Sequence, residues 1–164
     1  MRSIIVIAHD IRSTHNIGSL LRTADGFGVD HVYFTGITPY PTVKDDTRLP
    51  HISRKLTEQI EKTALGAINS VAWSHETDVE ALITQLKQDG FCIVGLEQSK
   101  DSIKLNNYRP PTKIALLLGR EVTGIDSALL KRCDDIVEIG MYGQKESFNV
   151  VQAAAICLYV LREA

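Results

Sequence analysis

The sequence lacks the features of membrane, secreted and metal-binding proteins. No apolar run approaches the ~20 residues that span a bilayer, and the first residues lack the longer apolar region of a signal peptide. The three cysteines are odd in number and far apart, so they do not form a disulfide framework. No histidine has cysteine or carboxylate partners at metal-ligand spacing. These absences predict a cytoplasmic protein with reduced thiols, no membrane contact and no metal.

An excess of basic residues is also missing. The chain has 18 Lys and Arg residues against 20 Asp and Glu residues, which gives a formal net charge of −2. A nucleic-acid partner would therefore have to bind a local basic face, because the protein as a whole does not attract polyanions.

Two glycine-containing segments have the spacing of nucleotide-binding motifs without their chemistry. Gly119 and Gly124 have the outer spacing of a phosphate-binding P-loop, but Ile125-Asp126 stands where Lys and Ser or Thr must reach the phosphates and magnesium. Gly26 and Gly28 follow a predicted helix instead of preceding one, so they cannot place a pyrophosphate at a helix N-terminus. The sequence therefore indicates neither an NTPase nor an NAD enzyme.

The sequence does contain strand-like apolar runs that alternate with helical patterns. Its 164 residues, 44% of them apolar, suit one domain over residues 1–164. The predicted strands are 3–8, 31–35, 70–73, 91–96, 114–118 and 136–139, with helices beginning near residues 17, 52, 79, 126 and 150 and loops at 36–50 and 99–112. Because the strands lack clean polar alternation, we predict an α/β fold with a mostly parallel sheet flanked by helices.

The first of three segments that carry candidate functional residues lies on the first predicted helix. Helical spacing puts Gly18 and Arg22 on one face, so a small residue leaves room beside an arginine one turn further on. An arginine in such a position can bind a phosphate or a carboxylate with two hydrogen bonds. The alternative interpretation is a solvated surface arginine on an amphipathic helix.

The other two segments follow predicted strands. Glu121 lies in a glycine turn at the end of a buried strand, and Ser147 and Asn149 lie between the last strand and the last helix. Polar side chains at the carboxyl ends of strands are typical of ligand sites in α/β proteins. Asn149 is also a good N-cap, so a simple turn with a helix cap is the alternative interpretation.

Together these segments resemble the signature motifs of the SpoU (TrmH-like) RNA ribose 2′-O-methyltransferases of the SPOUT class. The family patterns are Asn-x-Gly-x-x-x-Arg-x-Ala, Leu-Gly-x-Glu-x-x-Gly and Ile-Pro-Met-x-Gly-x-x-x-Ser-Leu-Asn-Val. The match runs from Asn16 to Ala154 in the family's order, and three spaced motifs are far more specific than one. The chain departs from the patterns at Gly140, where proline is usual, at Phe148, where leucine is usual, and at Val151-Gln152, where serine is usual.

The resemblance implies the SPOUT (α/β knot) fold, whose C-terminal part is threaded into a trefoil knot. It also implies that S-adenosylmethionine binds in the knot, against the loops that follow three strands. The cofactor-binding residues expected from the resemblance are Leu96, Leu118, Gly119, Ile139, Met141, Ser147 and Phe148.

By the same resemblance, the reaction is the attack of a ribose 2′-hydroxyl on the sulfonium methyl group. We expect Arg22 to bind the target phosphate and stabilise the alkoxide, since a guanidinium with a pKa above ~12 is a poor base. Asn16, Ser147 and Asn149 would position the ribose and the arginine, and Glu121 would orient these side chains without contacting the substrate itself.

Family members are homodimers in which the residue that matches Arg22 completes the partner's site. The apolar last helix suits burial in a knot or at a dimer interface. The chain starts at its first strand, so we predict no N-terminal RNA-binding extension, and the minimal domain favours tRNA over rRNA. The RNA-binding residues expected on the catalytic domain itself are Arg12, Arg22, Arg48, Arg54, Lys55 and Lys145.

Three alternatives remain open at the level of sequence. The six basic residues would equally suit scattered solvated charges. The motif departures suggest a non-catalytic member that binds RNA or S-adenosylmethionine, although the intact motif residues argue against this. A small-molecule O-methyltransferase on the same scaffold would need no RNA, and it leaves Arg22 without a role.

Overall fold

A computed structural model describes residues 1–164 and shows a seven-stranded sheet between layers of helices. All strand pairs are parallel, and the strand order is β3-β2-β1-β6-β4-β7-β5. The strands are β1 (Ser3–His9), β2 (His31–Thr35), β3 (Trp73–Glu76), β4 (Cys92–Leu96), β5 (Ile103–Lys104), β6 (Lys113–Leu118) and β7 (Asp135–Glu138). The helices are α1 (Thr14–Gly26), α2 (Pro50–Ala64), α3 (Ala67–Ser70), α4 (Val79–Gln88), α5 (Ser127–Leu130) and α6 (Val150–Glu163).

Both faces of the sheet are buried, as the continuous apolar strands predict. In β1, Ile4 and Val6 belong to a large core cluster that also contains residues of α1, α2 and α6. Ile5 and Ile7 point to the other face and belong to a smaller cluster with residues of α4 and α5. The predicted parallel α/β architecture is therefore confirmed, and burial on both faces explains why these strands show no polar alternation.

Two sequence predictions of local structure are wrong. The strand predicted at 70–73 is the end of the short helix α3 and a turn, and β3 begins only at Trp73. The loop predicted at 99–112 contains β5 and a 3₁₀ turn, Leu105–Asn107. Both missed strands lie at the edges of the sheet and pair on one side only, so their residues are partly or fully exposed and carry little apolar signal.

In the C-terminal half of the chain, strands that are neighbours in the sheet are not consecutive in sequence. From β4 it runs to the edge strand β5, returns to the centre as β6, and then leaves again to β7, which lies between β4 and β5. Strand neighbours that are this far out of sequence order suit a threaded chain. The trefoil knot itself stays a prediction.

The last helix, α6, has apolar residues on the face that packs against the core and also on an exposed face. Ala154, Cys157 and Leu158 are fully buried in the large core cluster. Tyr159 and Ile156 are 58% and 38% exposed, so an apolar part of the helix has no cover within the chain. None of the helices is both long and apolar enough to cross a membrane.

Helices α1 and α2 cross at unusually short range, and Gly18 makes this possible. A Cβ atom at Gly18 would lie 2.1 Å from the carbonyl oxygen of Ile60 and 2.2 Å from Oγ1 of Thr63. The Thr63 hydroxyl donates a hydrogen bond to the His15 carbonyl at 2.9 Å. The space that we expected Gly18 to leave beside Arg22 is thus filled by the backbone of α2, which corrects that part of the sequence interpretation.

Replacement of Gly18 by alanine therefore tests the packing of these helices. Because the methyl group would meet backbone atoms that cannot rotate away, we expect Gly18→Ala to lower the free energy of unfolding by about 1–3 kcal/mol. In the same helix, a Cβ atom at Gly26 meets nothing within 4 Å, so Gly26→Ala should be neutral or slightly stabilising. Urea denaturation at one protein concentration measures both, and equal midpoints would contradict the packing described here.

Candidate functional site

A pocket of about 200 Å³ opens at the carboxyl ends of β4, β6 and β7. Ligands of open α/β sheets bind at this edge, because loops from several parallel strands converge there. The residues that line the pocket are Leu96, Glu97, Gln98, Leu118, Gly119, Arg120, Glu121, Val122, Thr123, Gly124, Glu138, Ile139, Ser147, Phe148, Val150 and Ala153.

The pocket combines apolar walls with an excess of carboxylates. Leucine, isoleucine, valine and phenylalanine side chains form one part of the lining, which suits a flat ring system. Glu97, Glu121 and Glu138 contribute carboxylates and Arg120 contributes the one cation of the lining, while Glu138 also pairs with Lys104 outside the pocket. This balance of charge favours a ligand that carries a positive charge next to an apolar group.

The Glu121 carboxylate holds the loop between β1 and α1. Its oxygens accept hydrogen bonds from the backbone N–H groups of Arg12 at 3.3 Å and Ser13 at 3.2 Å, and from Nδ2 of Asn16 at 3.2 Å. Burial alone would raise the pKa of Glu121, but hydrogen bonds from these N–H groups and its own hold that pKa below the ordinary value. A carboxylate with a lowered pKa and occupied oxygens suits orientation of the site better than proton abstraction.

Two asparagines continue this network toward α6. Oδ1 of Asn149 accepts a hydrogen bond from the Val151 backbone N–H at 2.9 Å, which caps α6. Its Nδ2 therefore points away from the helix and donates to Oδ1 of Asn16 at 3.2 Å. Nδ2 of Asn16 in turn donates to Glu121. Asn149, Asn16 and Glu121 therefore form a row in which each hydrogen bond joins a donor to an acceptor. Asn149 is thus a helix cap and also a member of the candidate site.

Asp10, which no sequence motif indicates, ties together the loops after three strands. Its carboxylate accepts two hydrogen bonds from Arg120, at 2.6 and 3.0 Å, and one from the Ile37 backbone N–H at 3.0 Å. Burial raises the pKa of Asp10, but the bonds from Ile37 and Arg120 outweigh it and lower the pKa. Asp10 has a φ of 56°, and its carboxylate occupies the space that a Cβ atom at Gly36 would need. The signal for it was weak, since a lone Asp after a strand is common in loops.

Glu97 and Gln98 are two further pocket residues that no motif indicates. Oε2 of Glu97 accepts a hydrogen bond from the Ile125 backbone N–H at 2.9 Å, and it lies where a side chain at Gly124 would stand. Nε2 of Gln98 donates to the Glu146 carbonyl at 2.7 Å, which fixes the loop that precedes α6. Their position directly after β4 was the available signal, because the pocket lies at that strand's carboxyl end.

The structure brings most of the predicted site residues together. Six of the expected cofactor residues line the pocket: Leu96, Leu118, Gly119, Ile139, Ser147 and Phe148. Met141 does not line it. Glu121 lines it as well, and Asn16 and Asn149 are joined to Glu121 by the hydrogen bonds described above. Arg22 lies apart from this group, in a second cleft between α1 and α2.

The other predicted RNA-binding residues differ in their surroundings. Arg48 donates to both carboxylate oxygens of Asp46 and to two backbone carbonyls, and it stacks 3.6 Å above the Tyr40 ring. The Arg48 guanidinium therefore binds partners in its own loop. The four remaining residues are exposed at the surface, as the prediction requires: Arg12, Arg54, Lys55 and Lys145.

Comparisons with known proteins agree with this geometry. The model of the SpoU rRNA methylase family matches residues 3–159. A Staphylococcus aureus protein named as a TrmH family tRNA/rRNA methyltransferase is 30% identical over 157 residues, which cover 96% of this chain and 57% of that protein. The chain therefore spans little more than half the length of the curated relatives it matches.

Solved structures establish the fold. An AdoMet-bound rRNA methyltransferase from Sinorhizobium meliloti superposes with a TM-score of 0.82 at 19% identity, over 99% of this chain and 57% of that one. A protein described in connection with 2-OH methylation of C/U34 on tRNA superposes with a TM-score of 0.78 at 18% identity, over 98% of this chain and 94% of that one. The SPOUT architecture expected from the motifs is confirmed. The chain belongs to the SpoU rRNA methylase family.

Proposed function

We propose that this protein is an S-adenosylmethionine-dependent RNA ribose 2′-O-methyltransferase that acts on tRNA. The observation that carries the proposal is the hydrogen-bonded row of Glu121, Asn16 and Asn149 beside a carboxylate-rich, partly apolar pocket. Such an arrangement provides a place for a cationic cofactor and, next to it, oriented amide groups for a polar substrate. The likeness to TrmH family tRNA/rRNA methyltransferases supports the same reaction class.

The pocket suits the proposed cofactor by its chemistry. S-Adenosylmethionine supplies an electrophilic methyl group on a positively charged sulfonium. Leu96, Leu118 and Ile139 would hold the adenine in a dry slot, and the carboxylate of Glu97, which has no ion-pair partner, favours the positive charge. The structurally similar Sinorhizobium meliloti rRNA methyltransferase was solved with AdoMet bound.

The side-chain amides of Asn16 and Asn149, together with the Ser147 hydroxyl, would hold the substrate ribose. Ser147 lines the pocket at its mouth, and Asn16 and Asn149 lie beside it, so all three can hydrogen bond to the sugar hydroxyls. Glu121 fixes the direction in which the Asn16 amide points, and its low pKa keeps it ionised in this role. Preorganised donors of this kind stabilise the negative charge that develops on an attacking hydroxyl.

Arg22 requires a second protomer in this proposal. It lies outside the pocket of its own chain, in the cleft between α1 and α2. In a homodimer paired through the exposed apolar part of α6, Arg22 of the partner subunit would bind the target phosphate and stabilise the alkoxide. Exposed Tyr159 and Ile156 are the kind of surface that such pairing covers.

Support for tRNA over rRNA comes from a structural relative. The protein described in connection with 2-OH methylation of C/U34 on tRNA has nearly the length of this chain, which covers 94% of it. Among the longer relatives, one from A. aeolicus is described as a tRNA modifying enzyme, and others are named for both RNA classes or for rRNA.

Transfer of a radiolabelled methyl group tests the proposal. The protein is incubated with labelled S-adenosylmethionine and with bulk tRNA or rRNA that lacks the native modification, and the RNA is digested to nucleosides. Label in a 2′-O-methyl nucleoside of tRNA is the expected result. Cofactor binding without transfer to either RNA would instead favour a non-catalytic member of the family, and absence of cofactor binding would overturn both functions.

Arg22→Ala should separate catalysis from cofactor binding. Loss of a charged donor to the reacting groups is expected to reduce methyl transfer by about 10²–10³-fold, whereas the affinity for S-adenosylmethionine should stay unchanged because Arg22 does not line the pocket. Calorimetry and single-turnover assays measure the two quantities. Arg109→Ala, which removes another exposed arginine, is the matched control, and near-full activity of Arg22→Ala would contradict the assigned role.

Glu121→Gln should reduce methyl transfer although it keeps the size of the side chain. One carboxylate oxygen becomes an N–H donor and faces the backbone N–H groups of Arg12 and Ser13 or the Asn16 amide. The loss of a hydrogen bond to a charged group predicts a fall in kcat of about 10–100-fold. Glu163→Gln, at the exposed end of α6, is the control, and equal kcat values for the two variants would show that the carboxylate does not orient the site.

A further inference from the structure

The second cleft of the molecule has a volume of about 470 Å³ and lies between α1 and α2. Its lining is formed by Ser19, Arg22, Thr23, Lys62, Thr63 and Leu65. Apart from Leu65, every one of these side chains carries a hydrogen-bond donor, and two of them are cations. No carboxylate contributes to the lining.

The two cations of the cleft have no partners within the chain. Neither Arg22 nor Lys62 takes part in any of the ion pairs of the structure. Arg48 and Arg120, by contrast, each pair with a carboxylate. Two like charges in one cleft repel each other, so an anion bound between them would be stabilised by both.

The cleft has a rigid base. The close approach of the two helices at Gly18 sets their separation, and the hydrogen bond from Thr63 to the His15 carbonyl fixes their register. Arg22 and Lys62 therefore project from backbones that cannot move apart without loss of this packing. Fixed backbones keep both side chains at the same cleft, so an anion bound between them does not have to order the two helices as well.

Leu65 supplies an independent indication that something binds here. It ends α2 in the left-handed conformation with φ 49° and ψ 47°, where glycine or asparagine is usual. Its side chain is nevertheless 65% exposed, so the chain carries an unfavourable backbone conformation together with an apolar group in water. The left-handed turn caps α2, because the Leu65 backbone N–H donates to the Glu61 carbonyl at 3.1 Å, but the exposed leucine side chain adds nothing to this cap. An apolar wall beside two cations would suit a sugar or a base next to a phosphate.

We propose that the cleft of Arg22, Lys62 and Leu65 is a nucleotide-binding subsite for the RNA strand. Lys62 and Arg22 bind one backbone phosphate, the hydroxyls of Ser19 and Thr23 donate to it, and Leu65 packs against the adjoining sugar or base. This inference rests on the proposed function, and it adds Lys62 and Leu65 as RNA-binding residues. In the proposed homodimer this cleft would stand beside the partner's pocket, so one RNA strand can contact both.

The contribution of Lys62 is tested through the salt dependence of RNA binding. Affinity for bulk tRNA is measured at several salt concentrations for wild type, Lys62→Ala and Lys131→Ala, an exposed lysine on α5's C-terminal side. We expect Lys62→Ala to bind about fivefold more weakly and to reduce the slope of log K against log salt by about 0.7–0.9. Lys131→Ala should resemble wild type. Equal slopes for all three proteins, or dissociation of Lys62→Ala into monomers, would overturn the assignment.

Leu65→Gly provides a test that loss of folding cannot mimic. Glycine adopts the left-handed conformation without strain, so the melting temperature should stay the same or rise, while tRNA affinity falls. Unchanged affinity would overturn the role of Leu65. Because binding is measured without turnover, wild type that binds tRNA through Lys62 but transfers no methyl group would contradict the proposed reaction and leave this subsite intact.

Discussion

A single carboxylate, that of Glu121, holds together the parts of the molecule on which the proposed chemistry depends. It lies on the loop after β6, and it accepts hydrogen bonds from two backbone N–H groups of the loop after β1 and from the Asn16 amide. Through Asn16 it also sets the position of Asn149 at the start of α6. Three segments that are distant in sequence are thereby fixed against one another. The ion pair of Asp10 with Arg120 links the loops after β1 and β6 a second time, and Asp10 also binds the loop after β2.

The two clefts of the molecule differ in the charge of their linings. The pocket at the strand ends is rich in carboxylates and suits a cation, while the cleft between α1 and α2 presents unpaired cations and suits an anion. The methyl donor carries a positive charge and is favoured by carboxylates, whereas the RNA acceptor is a polyanion and is favoured by lysine and arginine. A single site could not suit both equally well. In the proposed homodimer, the cleft of one protomer would stand beside the pocket of the other. The small negative net charge of the chain is compatible with RNA binding in such an arrangement, because only the cleft has to be basic.

Sequence patterns predict the parallel sheet, the helices and most of the pocket, since these depend on local periodicity and on motifs at strand ends. They fail at β3 and β5, whose partly or fully exposed residues give little apolar signal. They also fail for Asp10, Glu97 and Gln98, whose roles arise from contacts across the sheet edge that no spacing in one segment reveals. Gly18 shows the same limit, because its small size serves the crossing of α1 and α2, and only the position of α2 makes that visible.

The most direct test of a site shared between protomers combines two inactive variants. Arg22→Ala and Asn149→Ala protomers carrying different affinity tags are co-expressed, and mixed dimers are purified through both tags in turn. If Arg22 acts in the partner's site, one of the two sites in each mixed dimer is intact, and methyl transfer to tRNA should return to about half of the wild-type level. Mixed dimers that remain inactive would place Arg22 in the site of its own protomer and contradict the shared arrangement.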